Sequence, residues 1–462
     1  MSKNIGTAPP PIVFILLAIL GIFSWSKLQP LEFIDTKQVF PKAGFSSSLL
    51  QRFSFGEKML IGANVTKAKR NGITAYQQQK YSQAAAYFQQ SLAEYPNDPE
   101  TSIYLQNSLI AERQTTKIAA VVPIGSNLDV AQEMLRGIAQ AQQEFNQQGG
   151  KLQVQIIDDE NDSDLARQIA KTVAQDNSIL AVIGSNASNA SLAGAEIYQQ
   201  AQVVMITPTS TSEKLSYFGN YIFRSGATNQ AMAEILADYV VHTAKRIHVG
   251  VCFASEAPDN VTFKDAFIPI LEAKGGKYID TQCDFSAPDF NGELAVNQLI
   301  SHGAEAVLLA PHIDKLNRAI DLARANQWKM VLLGTFSLNT TKITRLGQGD
   351  LNGIVLPVPF HEQQASATDF TAQAQQLWGE DLVLTWRTAT SYDATKAIAA
   401  TLTPNARRQD LQRRLRNHDL IIAGANGTVK FLPSGDRSLE PTLVTVKANP
   451  QQGYYFELLK DR

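Results

Sequence analysis

From Lys117 onward, apolar β-branched runs alternate with helical stretches, and that alternation restricts the fold more than any other feature. The runs are KIAAVVPI, LQVQIID, ILAVIG, VVMITP, YIFRS, RIHVGVCF, AVLLA, KMVLLG and GIVLPV. They are short, rich in Val, Ile and Leu, and mostly lack the polar alternation of a strand with one wet face. Strands of that kind belong in parallel sheets covered by helices on both sides. The connections between them are right-handed crossovers. Nine such runs exceed one comfortable sheet, so this part of the chain is expected to form two α/β lobes.

Two of the runs end in clusters of hydroxyls and small residues, IGSNASNAS (Ile183 to Ser191) and VVMITPTSTSEKL (Val203 to Leu215). In open α/β sheets, ligands bind at the carboxyl ends of the strands. The clusters offer backbone amides and Ser/Thr hydroxyls without a nucleophile, base or metal ligand beside them. That is chemistry for holding a small polar molecule.

The six histidines show no HExxH or paired spacing, and no GxSxG, GxxxxGK[ST] or strand-borne GxGxxG motif occurs. The chain therefore reads as a binding protein, not an enzyme, with no cofactor. The acidic step Asp158-Asp159-Glu160 reads as solvated loop charge, with a cation site as the alternative. A net charge of −2 gives no basic field for nucleic acid. The cysteines, Cys252 and Cys283, lack metal-site spacing. Two buried free thiols are the favoured reading and a disulfide the alternative, because the sequence does not give the Cα separation.

The N-terminus carries a lysine and then the 14-residue apolar run IVFILLAILGIFSW (Ile12 to Trp25). Residues 1–30 are read as an uncleaved signal anchor or transmembrane helix, with a cleaved signal peptide or a buried core helix as alternatives. The preceding positive charge puts everything after it outside the cytoplasmic membrane of a bacterial cell. Residues 31–62 read as a linker, either a tether or partly packed. Over 63–114 the pattern turns helical: Ala75, Tyr76, Tyr81, Ala84, Ala85, Phe88 and Leu92 recur at spacings of about three and four, and Asn97-Asp98-Pro99 starts a further helix. Gly72, Ala84, Phe88 and Pro96 resemble one tetratricopeptide repeat. One repeat cannot bury its own face. The segment is thus either a protein-docking module or a helical hairpin packed on the main domain or on a partner.

Residues 117–462 resemble the type I periplasmic solute-binding proteins of the leucine/isoleucine/valine-binding (branched-chain amino acid ABC transporter) family. The likeness rests on an ordered series: VPIGSN, IIDDENDSDLARQIAKTV, IGSNASNAS, MITPTSTSEKL, YIFRS, GAEAVLLAPH, LLGTFSL, WRTATSYDA and GANGTVKFLPSGDR. It implies a hinged pair of parallel-sheet lobes joined by three crossovers. The first lobe is expected over about 117–243 and 360–436, the second over about 246–357 and 437–462. It also implies a small-molecule ligand, an amino acid or related carboxylate, passed to a membrane permease. A membrane-anchored sensor using the same domain is the alternative.

Carried onto this sequence, the resemblance puts Ser188 where a hydroxyl and amide grip a carboxylate, flanked by Asn186 and Ala187. Thr209, Ser210 and Thr211 fall where the ammonium end and the same carboxylate are contacted, and Ser126 at the mouth of the first loop. On the second lobe the pattern departs from the family. Phe336 stands where an acid commonly neutralises the ammonium. Asp259 or Asn260 replaces an aromatic, Asp259 or Glu256 being the substitute acid, and His312 replaces another aromatic, to stack on ligand or cap a strand end. Trp386 is expected to wall the cleft. Arg387 is expected to form a structural ion pair with an acid at the hinge, contact with an anionic ligand being the alternative, and an amphipathic helix to start near Ser391. The expected ligand keeps a carboxylate or similar acceptor but is not a standard branched-chain amino acid.

Overall fold

The structure, a computed structural model, describes residues 47–379, 382–450 and 453–459. The apolar run Ile12 to Trp25 lies outside the described residues. No helix among the described residues is long and apolar enough to cross a membrane.

The described chain begins with a helical turn, Ser47–Leu50, and the two-residue strand β1 (Phe53–Ser54). Three helices follow: α1 (Lys67–Gln77), α2 (Tyr81–Glu94) and α3 (Pro99–Ile110). The spacing read from the sequence is a buried seam, with Ala84, Phe88, Ile103 and Tyr104 wholly enclosed. Lys69, itself buried, pairs with Asp98 at 2.8 Å and Glu100 at 2.7 Å. Glu100 also accepts from the amides of Leu60 (2.7 Å) and Ile61 (3.2 Å), tying the entering chain to α3.

The first sheet contains β2 (Thr116–Val122), β3 (Leu152–Asp158), β4 (Ile179–Ile183), β5 (Val204–Thr207) and β6 (Ile222–Arg224). Its order is β1-β3-β2-β4-β5-β6, parallel except for β1, which runs antiparallel to β3. Helices α4 (Leu128–Gln147), α5 (Ser163–Gln175) and α6 (Ser188–Gln200) connect these strands. Asn107 of α3 docks on the edge of β3: its amide donates to Phe55 O (2.7 Å) and Val154 O (2.8 Å), and its oxygen accepts from Val154 N (2.9 Å). Residues 53–110 are therefore part of the first lobe's body, and the linker within 53–62 is packed.

Helix α7 (Asn229–Asp238) packs on α8 (Pro258–Ala273) and against the second sheet. The chain has thus crossed to the second lobe by Asn229, earlier than the expected boundary near 243. That sheet contains β7 (His248–Phe253), β8 (Lys277–Ile279), β9 (Ala306–Ala310), β10 (Val331–Gly334) and β11 (Val355–Val358). Helices α9 (Gly292–Ser301), α10 (Leu316–Asn326) and α11 (Thr341–Gly347) lie between them. The chain then returns to the first lobe with α12 (Thr368–Trp378), α13 (Trp386–Thr401), α14 (Arg408–Leu415) and the hairpin β12 (Ile422–Gly424) and β13 (Gly427–Val429). A last crossing delivers β14 (Thr442–Asn449) and β15 (Gly453–Leu458) to the second sheet.

The second sheet has the order β15-β14-β11-β10-β9-β7-β8. β14 is antiparallel to β11, and β15 to β14. Both sheets are therefore mixed, against the expectation of parallel ones. A chain returning for a third crossing pairs with whichever edge is free, and no local pattern announces its direction.

Two further expectations are corrected. Helix α13 begins at Trp386, not near Ser391, and is buried on nearly every side rather than amphipathic. Two of its buried hydroxyls are satisfied within the helix: Thr390 donates to Trp386 O at 2.9 Å and Thr395 to Ser391 O at 2.8 Å. Gly137 of α4 makes this burial possible, because a Cβ there would overlap the Thr388 carbonyl. Cys252 and Cys283 form a disulfide, with Cα atoms 4.6 Å apart. The bond ties the end of β7 to the segment after β8, where Phe253 bridges to Asp284. Cross-linking positions 31 residues apart constrains the unfolded chain by about 3–4 kcal/mol on the loop-entropy model. The double variant Cys252→Ser/Cys283→Ser is expected to lose stability of that order in urea titrations, and the wild type to lose a similar amount under reductant.

Candidate functional site

Loops at the carboxyl ends of both sheets face each other across a cleft of about 510 Å³. The first lobe contributes Ser126 from the β2–α4 loop, Glu160 and Asn161 after β3, Asn186 to Asn189 after β4, and Thr209 and Thr211 after β5. Trp386 and Arg387, the first residues of α13, close that wall. The second lobe contributes Glu256 to Asp259, Ser286, His312 to Lys315, Phe336 and Ser337. Of the residues singled out from the sequence, Ser126, Asn186, Ala187, Ser188, Thr209, Thr211, Asp259, His312, Phe336 and Trp386 all line this one cleft. Ser210 stands behind it, its hydroxyl donating to Ser188 Oγ at 3.0 Å.

The loop after β4 is held from several directions. Gly184 has φ +125°, and a Cβ there would overlap the Val121 carbonyl, so the turn out of the strand requires glycine. The Ser185 carbonyl accepts from Ser191 and Thr207 hydroxyls, each at 3.0 Å. Thr209 Oγ1 donates to Asn186 O at 2.9 Å. Asn161 Oδ1 accepts from Asn186 Nδ2 and from the Ala187 amide, both at 3.2 Å.

This scaffold presents the start of α6 to the cleft. Its N-cap is Ala187, which supplies no side-chain acceptor to the first turn. The orphan amides and the helix dipole make such an end an acceptor of anions. Thr211, which is 3% exposed, has a hydroxyl with no hydrogen-bond partner. Trp386, 2% exposed, has an indole N–H equally without one.

Phe336 and Trp386 meet edge to face, centroids 5.6 Å apart, one ring from each lobe. Arg387 lies 4.5 Å from the Trp386 ring and pairs with Glu133 of α4 at 3.2 Å, the structural pair expected of it. His312 caps the turn Ile313–Lys315, its Nδ1 accepting from Asp314 N at 3.5 Å. On the second lobe the disulfide stands directly behind the wall: Asp284, next to Cys283, accepts from the Ser255 hydroxyl (2.6 Å) and amide (3.1 Å).

The acidic step after β3 is not plain solvated charge. Arg52 pairs with Asp158 at 3.0 Å and with Glu160 at 2.8 Å. Asp159 between them is wholly buried, and its Oδ1 accepts from Asn161 N at 3.1 Å. No group of His, Cys, Asp or Glu that could hold a metal occurs among the described residues. Asn161 was missed from the sequence; its turn conformation, at φ 55°, is a conformation asparagine tolerates, but its partners come from another loop.

A periplasmic binding protein family model matches residues 115–452, so the chain belongs to that family. An amino acid binding protein of Pseudomonas aeruginosa is 26% identical over 132 residues, 28% of this chain and only 35% of that protein. A leucine-specific-binding protein of Salmonella typhimurium is 22% identical over 311 residues, 65% of this chain and 82% of that protein. The fold also matches a crystal structure of an ABC transporter substrate-binding protein from Desulfitobacterium hafniense in complex with Leu. There the TM-score is 0.64 and the identity 23%, over 75% of this chain and 100% of that one.

Burial pushes the Asp159 carboxyl up to about 6, against the opposing hydrogen bonds from Ser185 and Asn161. The folded chain therefore holds this proton more tightly than the unfolded chain. Stability falls as pH rises between roughly 4 and 6, and the full cost, on the order of 2–3 kcal/mol, applies above that window. Asp159→Asn keeps an acceptor for Asn161 N and removes the titration. The variant should exceed the wild type in urea unfolding at pH 7.5 and match it near pH 3.5. A difference that stays constant across that range would contradict the role given to Asp159.

Proposed function

We propose that this chain is the extracytoplasmic solute receptor of an ABC-type importer, capturing a small amino-acid-like carboxylate between its lobes and presenting it to a membrane permease. The observation that carries the reading is the uncapped start of α6 facing the cleft beside the unpartnered Thr211 hydroxyl. An anionic oxygen placed there meets orphan amides together with the Ser188 and Thr211 hydroxyls. Charge-assisted hydrogen bonds of this kind contribute about 1.5–3 kcal/mol each. Family membership and the leucine- and amino-acid-binding relatives support the same class of ligand.

In this reading Ser188, Thr209 and Thr211, backed by Ser210 and flanked by Asn186 and Ala187, form the first face to engage. Asp259, His312 and Phe336 then seal the cleft from the second lobe, with Ser126 and Trp386 at its margins. Only a ligand that touches both lobes can shift them toward closure, since differential affinity is what moves the equilibrium. The run Ile12 to Trp25 would hold the receptor at the membrane surface. Helices α1 to α3, joined to the first lobe through Asn107, would travel with that lobe.

The cleft offers a branched aliphatic side chain little apolar wall, Val130 and Ile313 being the only branched aliphatic residues lining it among the described residues. Leucine and valine should therefore bind weakly in a calorimetric panel of amino acids and small organic acids. Tight binding of either would overturn that part of the reading. For whichever member of the panel binds best, Ser188→Ala combined with Thr211→Ala should weaken affinity at least about tenfold, or ~1.4 kcal/mol, with the melting temperature little changed. Unaltered affinity in the double variant would remove α6 from the site.

A further inference from the structure

We propose that the enclosed carboxyl of Asp159 links carboxylate capture to proton uptake, so that the start of α6 holds an anion more tightly when Asp159 carries a proton. The inference rests on the receptor reading above and adds the regulation of that site. Asp159 does not line the cleft; it is a positioning residue that acts through the loops behind it. Its Oδ1 accepts from Asn161 N at 3.1 Å, and the Ser185 hydroxyl hydrogen-bonds the same carboxyl group. Both partners brace the wall that receives the anion. Asn161 Oδ1 holds the amide of Ala187, the N-cap of α6, at 3.2 Å. The Ser185 carbonyl accepts from the Ser191 hydroxyl of α6 at 3.0 Å. A single residue on each side therefore separates the Asp159 carboxyl from that helix.

The surroundings favour the neutral form. Asp159 is wholly buried, and its Oδ2 receives no hydrogen bond. An ionised oxygen enclosed without donors is costly, and a proton removes most of that cost. Asp158 and Glu160 stand on either side of it in the chain, and both engage Arg52, the cation of this loop. From α6 comes the Tyr198 phenol, pushed up by burial and then by the Asp159 charge. From the end of β2 comes a carbonyl, Val122 O, which accepts from Asp159 N at 3.2 Å. Two further ionisable groups, His312 and Asp259, line the cleft from the second lobe.

Linkage sets the direction. A carboxylate seated at the start of α6 brings a second negative charge close to an enclosed one, and like charges in a medium of low dielectric repel. Protonation of Asp159 abolishes that repulsion. Binding therefore raises the proton affinity of Asp159, the complex takes up a proton, and affinity rises as pH falls. The window lies around and above pH 6, since burial pushes the free carboxyl up to about 6.

The probes are the standard L-amino acids other than histidine, aspartate, glutamate and cysteine, whose side chains titrate in or near that window. They are ranked by calorimetry on the full chain at pH 5.0. For the tightest binder, affinity should weaken about fivefold or more between pH 5.0 and pH 7.5. Near pH 6.5, binding enthalpies in two buffers of different ionisation heat should show roughly half a proton taken up per ligand. Asp159→Asn should bind at pH 7.5 about as tightly as the wild type does at pH 5.0, with a flat profile and no proton uptake. His312→Gln should keep the pH dependence. Wild-type affinity independent of pH would overturn the inference and leave the carboxylate site of α6 standing. A dependence that survives Asp159→Asn, or disappears in His312→Gln, would assign it to the second wall and overturn the inference as well. Absence of binding by every probe at millimolar concentration would also overturn it. The Ser188→Ala/Thr211→Ala variant, titrated with small organic acids, would then judge the receptor reading separately.

Discussion

The close contact between α4 and α13 is the constraint on which the site depends. Helix α13 has almost no solvent face, so it can sit where it does only if α4 lets its backbone approach. Gly137 provides that approach. Around it, Glu133 of α4 accepts from Thr385 at 3.0 Å and pairs with Arg387, while its carbonyl accepts from Thr388 at 3.0 Å. Further along, Glu144 accepts from Tyr392 at 2.7 Å and pairs with Lys396. The result is a rigid mount for Trp386 and Arg387 at the edge of the cleft. The same helix holds the last crossover, because buried Asp393 pairs with Arg437 immediately before the chain leaves for β14.

The two walls of the cleft differ in electrostatic character. The first lobe presents amides and hydroxyls, whose positive ends are fixed by backbone geometry, and its charged members Glu160 and Arg387 are paired with Arg52 and Glu133. The second presents Glu256, Asp259 and Asp314 together with His312 and Lys315. Preorganisation is unequal too. The loop after β4 is braced by Asn161, Ser191, Thr207 and Thr209, whereas the second wall is braced by the disulfide and Asp284.

The N-terminal helices bear on function through attachment. The buried Lys69 with Asp98 and Glu100, and the Asn107 contacts on β3, make residues 53–110 continuous with the first lobe. A buried ion pair is weak evidence for stability, since desolvation offsets its attraction. Here the pair also gathers the Leu60 and Ile61 amides, so it sets where the chain enters the lobe.

Much of this molecule was legible in its residues. The strand–helix alternation foretold two α/β lobes, and the hydroxyl clusters after β4 and β5 foretold where a groove would open. These are local properties: period, β-branching and turn chemistry act over a few residues. Tertiary structure decided the rest. The cysteine pairing, the antiparallel β14 and β15, the full burial of α13 and the enclosed Asp159 each depend on segments distant in the chain, as with Arg387 and Glu133, 254 residues apart. Desolvation and pairing are properties of the assembled environment. A carboxylate in a sequence is only an acid, and whether it becomes a solvated charge like Asp314 or an enclosed one like Asp159 is set by what folds over it.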